Sequence, residues 1–205
     1  MNHIFYFFGK SCSGKDTIIQ KIFEDKEFVN KYNLHRLVYS TTRPMREGEE
    51  DGITYHYTTN EYYDTLDKNS LIDSRSYLTE FGLWRYFVDR KSIVNGNNYI
   101  AVGTIDTIPQ LKSLRGFEIH VIYIDIDAIT ALRRYSLREH NDAMYKEIVR
   151  RVLSDYDDFS FFDDKVKPYK DAGIIQTVDT ILNSFYNDLN TCVETTKYII
   201  ANRFN

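Results

Sequence analysis

Residues 9–17 read Gly-Lys-Ser-Cys-Ser-Gly-Lys-Asp-Thr. Two glycines bounding a short polar run, with a lysine after the second, can cradle phosphate. Gly9 and Gly14 let the backbone curl so that its N–H groups point inward at phosphate oxygens. Lys15 then stands where its ammonium reaches the outer phosphates. Gly9, Ser11, Cys12, Ser13, Gly14, Lys15, Asp16 and Thr17 are the candidate phosphate-site residues. Nothing near Cys12 in sequence would activate its thiol, so it reads as a small loop residue. The usual pattern places Ser or Thr directly after the lysine, as a magnesium ligand. Here that place holds Asp16, and Thr17 follows. Two readings of Asp16 stand: a carboxylate that helps hold Mg²⁺, directly or through water, or an acid that complements a helix N-terminus.

A second constellation lies at Ser40-Thr41-Thr42-Arg43-Pro44-Met45-Arg46-Glu47-Gly48-Glu49, with Tyr55 downstream. Two arginines three apart, beside hydroxyls and a tyrosine, can clamp one phosphate, because guanidinium offers a bidentate fork. Such a stretch can also be a plain solvated loop. A third set is Arg134 and Arg138, which share a helix face, with Arg150 and Arg151 further on.

The phosphate loop needs a strand before it and a helix after it. Ile4 to Phe8 is an unbroken apolar run, as in a strand buried on both faces. Ile18, Ile19, Ile22 and Phe23 recur at helical spacing. Further strands are expected at His35–Tyr39, Tyr99–Val102 and Ile119–Ile124, with a last short one near Ile174 and Ile175. Helices are expected over 107–114, 127–137 and 144–156, with Met144, Ile148, Val152 and Tyr156 on one face of the third. A C-terminal helix is expected over 179–200, with Ile181, Leu182, Phe185, Leu189, Cys192 and Val193 as its apolar stripe. Strands alternating with helices imply a parallel sheet covered on both faces. The stretch from Ser40 to Gly96 breaks that rhythm with short aromatic strands at 54–57, 71–77 and 84–88, and reads as an inserted subdomain.

The bulk composition agrees. The chain has 205 residues, 42% hydrophobic, 15% aromatic and with 17 tyrosines, enough for one α/β domain with an insertion. A net charge of −4 gives no pull toward nucleic acid or anionic membrane, so clustered arginines mark a local anion site. There is no apolar run of ~18 residues. The chain enters a strand at once, which does not suit a signal peptide. Two distant cysteines suit a reducing, cytoplasmic setting without a disulfide framework or metal spacing.

A phosphate loop followed by Ser-Thr-Thr-Arg-x-x-Arg-x-Gly-Glu-x-x-Gly-x-x-Tyr resembles the guanylate kinase family, from the first strand to about Phe159. The resemblance implies an α/β, three-layer P-loop fold with a central parallel sheet, an inserted α+β monophosphate-binding subdomain and a helical lid. Residues 1–205 would form one domain, with core 1–39, 97–136 and 145–205, insertion 40–96 and lid 137–144. It implies ATP and Mg²⁺ on the glycine loop, where Asp16 and Thr17 are the candidate metal residues, and GMP or dGMP as acceptor. Ser40, Arg43, Arg46 and Tyr55 would bind the acceptor, with Glu49 holding the arginines. Asp73 would read the guanine N1–H and amino group, a two-donor edge that suits an acceptor-only carboxylate. Lys15, Arg134, Arg138 and Arg151 would stabilise the transferring phosphoryl group.

Several positions depart from the family pattern. A tyrosine is replaced by Phe81, and two base-contacting serines by Leu83 and Tyr39. The acidic pair at the end of the third core strand is missing from Ala101-Val102-Gly103-Thr104-Ile105, with Asp106 the nearest substitute. Trp84, Arg85 and Tyr86 read either as a new base pocket or as a packed strand. Base selectivity therefore stays open, and a kinase for another nucleotide or a ribose bisphosphate, a non-catalytic binding module and an acceptor-free ATPase are the alternatives.

Overall fold

In a computed structural model, residues 1–137, 142–183 and 188–204 are described, with side chains except at 142–145 and 147. In chain order the elements are β1 (Asn2–Phe8), α1 (Lys15–Glu24), α2 (Lys26–Lys31), β2 (Leu34–Arg36), β3 (Ser40–Thr41), β4 (His56–Tyr57), α3 (Asn60–Thr65), β5 (Leu71–Thr79), β6 (Gly82–Asp89), β7 (Asn98–Val102), α4 (Ile108–Leu111), β8 (Phe117–Asp125), α5 (Ala128–Ser136), α6 (Asp142–Phe159), α7 (Phe162–Asp171), β9 (Thr177–Leu182) and α8 (Leu189–Ala201).

Five strands form a sheet in the order β2-β7-β1-β8-β9, and every pairing in it is parallel. The central strand β1 buries Ile4 to Phe8 completely, because helices cover both faces. Alternation sorts its side chains. Phe5 and Phe7 join Ile18, Ile22, Ile122 and Val193 under α1 and α8. Ile4, Tyr6 and Phe8 join Ile108, Leu111, Phe159 and Phe162 on the other face. At roughly 1.5–3 kcal/mol per buried large apolar side chain, this strand anchors the loop that follows it.

The insertion forms its own four-stranded sheet, β4-β3-β6-β5, built on the antiparallel β5–β6 hairpin. It projects past the carboxyl ends of the parallel strands, where open α/β sheets bind ligands.

Three sequence expectations need correction. Residues 179–182 are strand β9, not the start of the last helix, which begins at Leu189. The β-branched run Thr177-Val178-Asp179-Thr180-Ile181 pairs along the open edge of β8, and tertiary pairing overrides the apparent helical stripe. Phe185 of that stripe lies outside the described residues. Ile174 and Ile175 sit in the turn after α7, itself an element the sequence did not announce, with Pro168 inside it. On α6, Ile148 and Phe159 are buried but Tyr156 is 71% exposed. Its inward face carries Arg151 and Asp155, because it borders a polar cleft and not the core.

Candidate active site

The glycine loop turns as the sequence implies. Gly9 has φ +148 and Gly14 φ +91; a Cβ at Gly9 would lie 2.3 Å from the Ile124 carbonyl oxygen, and one at Gly14 2.5 Å from Asn183 Nδ2. Only glycine fits either position. Gly14 caps α1 in the left-handed conformation, with Lys15 as the first helical residue, so the positive end of the helix faces the loop. The Lys15 ammonium donates to the carbonyls of Gly9 and of Lys10 (2.8 Å) and to Ser13 Oγ (3.3 Å). Burial pushes its pKa below the ordinary lysine value, against the pull of Asp16 and Asp155.

A carboxylate already rests in this loop. Asp155 of α6 accepts the Ser11 backbone N–H at 2.7 Å, with its other oxygen 3.4 Å from Ser11 Oγ. Burial raises the Asp155 pKa, opposed by the Ser11 bonds and by Lys15. Its oxygens use the kind of donor that a phosphate oxygen would use.

The arginine stretch of the insertion is built around a buried ion pair. Arg43 is 3% exposed, and its two terminal nitrogens donate to the two oxygens of Glu49 at 2.9 and 2.8 Å. Glu49 also accepts the Arg46 N–H and the Tyr57 hydroxyl, at 2.8 and 2.7 Å. Burial alone would raise the Glu49 pKa; the Arg43 fork, the Arg46 amide and Tyr57 outweigh it and hold the carboxyl down at about 2. The Arg43 guanidinium lies 5.4 Å from the Tyr55 ring centre. Arg46, exposed on the cleft wall, has its pKa lowered by burial against the protein and by the like charges of Arg43 and Arg151. Cations from the insertion and from α6 thus converge.

Both sites line one cavity of about 650 Å³. Gly9, Ser11, Lys15 and Asp16 form one wall, Arg43, Arg46, Glu49 and Tyr55 the other, with Arg151 and Asp155 between them. Lys146 of α6 lies 3.8 Å from Glu80 in the β5–β6 turn, and Arg150 lies over the Tyr77 ring at 6.0 Å, so α6 bridges core and insertion.

Other expected residues fall elsewhere. Asp73 does not line the cavity: it is fully buried, and Tyr39 donates to its Oδ2 at 2.5 Å. The Tyr39 phenol thus occupies one oxygen of the buried carboxylate. Arg75 Nε stands 3.6 Å from the other Asp73 oxygen, its guanidinium over the Tyr39 ring at 5.2 Å. Burial raises the Asp73 pKa against the pull of Arg75. Beside the buried carboxylate, the cavity wall is made by Tyr39, Arg75, Tyr77 and Tyr86. Trp84, in β6, is both packed and cavity-lining, stacked on Phe81 at 5.8 Å. Ser40 is taken up in β3 and does not border the cavity. Thr17 is exposed outside it, whereas Asp16 faces in. Arg134 braces the loop, donating to the Cys12 carbonyl at 3.1 Å and to Asn183 Oδ1 at 3.3 Å. Arg138, with the rest of 138–141 in the expected lid, lies outside the described residues. Asp106 is exposed away from the cavity, which Asp158 of α6 borders instead.

Sequence reasoning missed Asp155, Asp158, Arg75, Tyr57 and Asn183. Asn183 donates to the Ser13 carbonyl at 2.6 Å across 170 residues of chain, so no local pattern could reveal it. Asp155 carried a fainter signal, an acid interrupting the apolar stripe of a helix.

A glycine loop on a parallel sheet, facing an arginine clamp on an inserted subdomain, is the architecture of the P-loop nucleoside monophosphate kinase fold. A family model, Guanylate kinase, matches residues 3–166. A guanylate kinase of Oceanobacillus iheyensis is 32% identical over 97 residues, which cover 46% of this chain and 44% of that relative; the shared stretch thus spans less than half of its length. The crystal structure of guanylate kinase from Anaplasma phagocytophilum covers 98% of this chain and 86% of its own, with a TM-score of 0.62 at 19% identity, a likeness of fold. The chain belongs to the guanylate kinase family.

Proposed function

We propose that the protein transfers the γ-phosphoryl group of ATP to GMP or dGMP, giving ADP and GDP or dGDP. The observation that carries this reading is the single cleft in which the glycine loop and the Arg43–Arg46–Tyr55 clamp face one another. A hydrolase acting on ATP alone has no use for the second anion site.

In this reading the loop amides and Lys15 hold the β- and γ-phosphates, and Arg43, Arg46 and Tyr55 hold the acceptor phosphate. The acceptor oxygen attacks in line. It needs no general base, because a phosphate monoester with a second pKa of about 6 is already largely ionised at neutral pH. The chain supplies positioning and charge: Lys15 and Arg151 stabilise the negative charge on the equatorial oxygens. Arg134 acts through the loop backbone that it braces, and Arg138 is proposed to close from the lid, excluding water. The acidic group Asp16, Asp155 and Asp158 fits a hard cation with oxygen ligands, with Thr17 nearby in sequence. Mg²⁺ bound there would neutralise charge between the β- and γ-phosphates.

A second reading rests on one observation, the burial of Asp73 beneath Tyr39. With that carboxylate covered, Arg75 offers donors to base acceptors in place of the carboxylate's acceptors, which favours a different monophosphate or a sugar bisphosphate. A coupled ADP-release assay with GMP, dGMP, AMP, dTMP and ribose bisphosphate separates these. GMP or dGMP turnover above the others supports the first reading. Preference for another acceptor supports the second, no turnover with intact folding means a binding module, and ADP release without any acceptor means an ATPase. Cys12 and Cys192 are not joined in a disulfide, which supports a cytoplasmic setting, and no helix among the described residues is long and apolar enough to cross a membrane.

A further inference from the structure

At the opposite end of the sheet from the glycine loop, three potential metal ligands meet. In the parallel register of β1 and β8, His3 pairs with Glu118 and Phe5 with His120. Partners in register, and residues two apart on one strand, point to the same face. His3, Glu118 and His120 therefore project together from the face covered by α8 and the C-terminal turn. His3 Nδ1 lies 3.0 Å from His120 Nε2 and 3.5 Å from Glu118 Oε2. His120 Nε2 lies 3.8 Å from the same oxygen. A tetrahedral Zn²⁺ with bonds of about 2.0–2.2 Å holds its ligand atoms about 3.3–3.6 Å apart, close to this triangle.

The surroundings favour a ligand set over an incidental cluster. His3 is 6% and His120 2% exposed, and Phe204 packs on the His3 ring at 4.6 Å between centres. Thr177 donates its hydroxyl to Asp179 at 3.3 Å, so it accepts from His120 Nδ1 at 3.0 Å. That bond fixes the His120 tautomer and leaves the Nε2 lone pair aimed into the triangle, the outer-shell arrangement of metal-binding histidines. Asp179 is anchored in turn by Arg203 at 2.5 Å. The Glu118 side chain is 37% exposed and opens the triangle to solvent.

We propose that His3, His120 and Glu118 bind one divalent transition-metal cation of the zinc class, with solvent in the fourth position. Without metal, His3 Nδ1–H donates to His120 Nε2. On binding, His3 carries its proton on Nε2, Nδ1 turns to the ion, and no net proton is released. The site ties the amino-terminal ends of β1 and β8 together. It stands about 15–20 Å along β1 from the glycine loop, at ~3.3 Å per residue, so its role is structural and independent of the kinase reading.

Chelator-treated full-length protein titrated with CoCl₂ tests this. The expected result is one Co²⁺ per chain, with the visible absorption of a tetrahedral ion, displaced by Zn²⁺. At a free Zn²⁺ concentration a hundred times Kd, the unfolding midpoint rises by about 5–10 °C. Glu118→Gln and His3→Gln each weaken Co²⁺ binding at least ~10-fold, while Glu118→Gln leaves phosphoryl transfer unchanged. Should His3→Gln fail to fold, the partly exposed Glu118→Gln decides. Absence of the cobalt spectrum, or an affinity that Glu118→Gln does not change, overturns the assignment.

Discussion

Replacing Asp155 by alanine should tighten nucleotide binding, although the residue sits in the centre of the cleft. Asp155 occupies the Ser11 N–H at 2.7 Å, and its charge faces Lys15. An incoming phosphate must displace it. A hydrogen bond to a charged group is worth about 1.5–3 kcal/mol, and the free protein loses that bond on binding ATP. In Asp155→Ala nothing is displaced, so ATP without Mg²⁺ should bind ~10- to 150-fold more tightly. The assay is calorimetric titration with ATP in chelator, wild type against variant, at neutral pH. The pH dependence gives a second arm. Burial holds the Asp155 pKa above its ordinary value. Protonation as pH falls through that raised value should therefore release the loop in the wild type, and the advantage of the variant should shrink. An Asp155→Ala protein with unchanged or weaker Mg²⁺-free ATP affinity refutes the displacement reasoning. Weaker affinity only in the presence of Mg²⁺ would be consistent with it and would place the carboxylate on the metal.

The remaining predictions concern the clamp and the base surface. Arg46→Ala, an exposed position, should raise the KM for the acceptor by ~10- to 150-fold through loss of one charge-assisted phosphate contact; an ATP KM that moves equally would argue against its place in the acceptor site. Glu49→Gln leaves the buried Arg43 without its counter-charge, at a cost of about 3–5 kcal/mol, read as an unfolding midpoint lower by about 6–20 °C. The sign for pH follows from the depressed carboxyl: its stabilisation is fully present above the unfolded value of 4.5 and is lost as pH falls toward about 2. Glu49→Gln should flatten this acid limb of the stability curve. Tyr39→Phe removes the hydroxyl that occupies Asp73, and the ratio of GMP to dTMP turnover should rise about 10-fold, a hydrogen bond's worth; an unchanged ratio would mean that Asp73 never meets the base.

How much of this was legible in the sequence follows from the range of the contacts. The glycine loop could be read because strand, turn and helix are contiguous, and Gly9 and Gly14 are imposed by backbone approach within that segment. The arginine clamp could also be read, since Arg43, Arg46, Glu49 and Tyr55 lie within one short stretch and close on themselves. Contacts made across the fold were not legible. Asp155 reaches Ser11 over 144 residues, and Arg75 meets the Val102 carbonyl at 3.1 Å only because the insertion folds back on the sheet. Asp73 sits at the expected place in the chain, but its hydrogen-bond partner is the hydroxyl of Tyr39, 34 residues away. The β9 segment misled for the same reason: its apolar spacing suits a helix, and only the vacant edge of β8 makes it a strand.

In the proposed kinase, one cleft holds two phosphate sites that address each other. A bisubstrate analogue, adenosine and guanosine joined through a pentaphosphate bridge, tests it in a single inhibition study. Linking makes the second contact intramolecular, so the expected result is inhibition competitive with both ATP and GMP, and binding at least ~100-fold tighter than either nucleotide alone. Competition with ATP only, at the affinity of a simple adenine nucleotide, would contradict it.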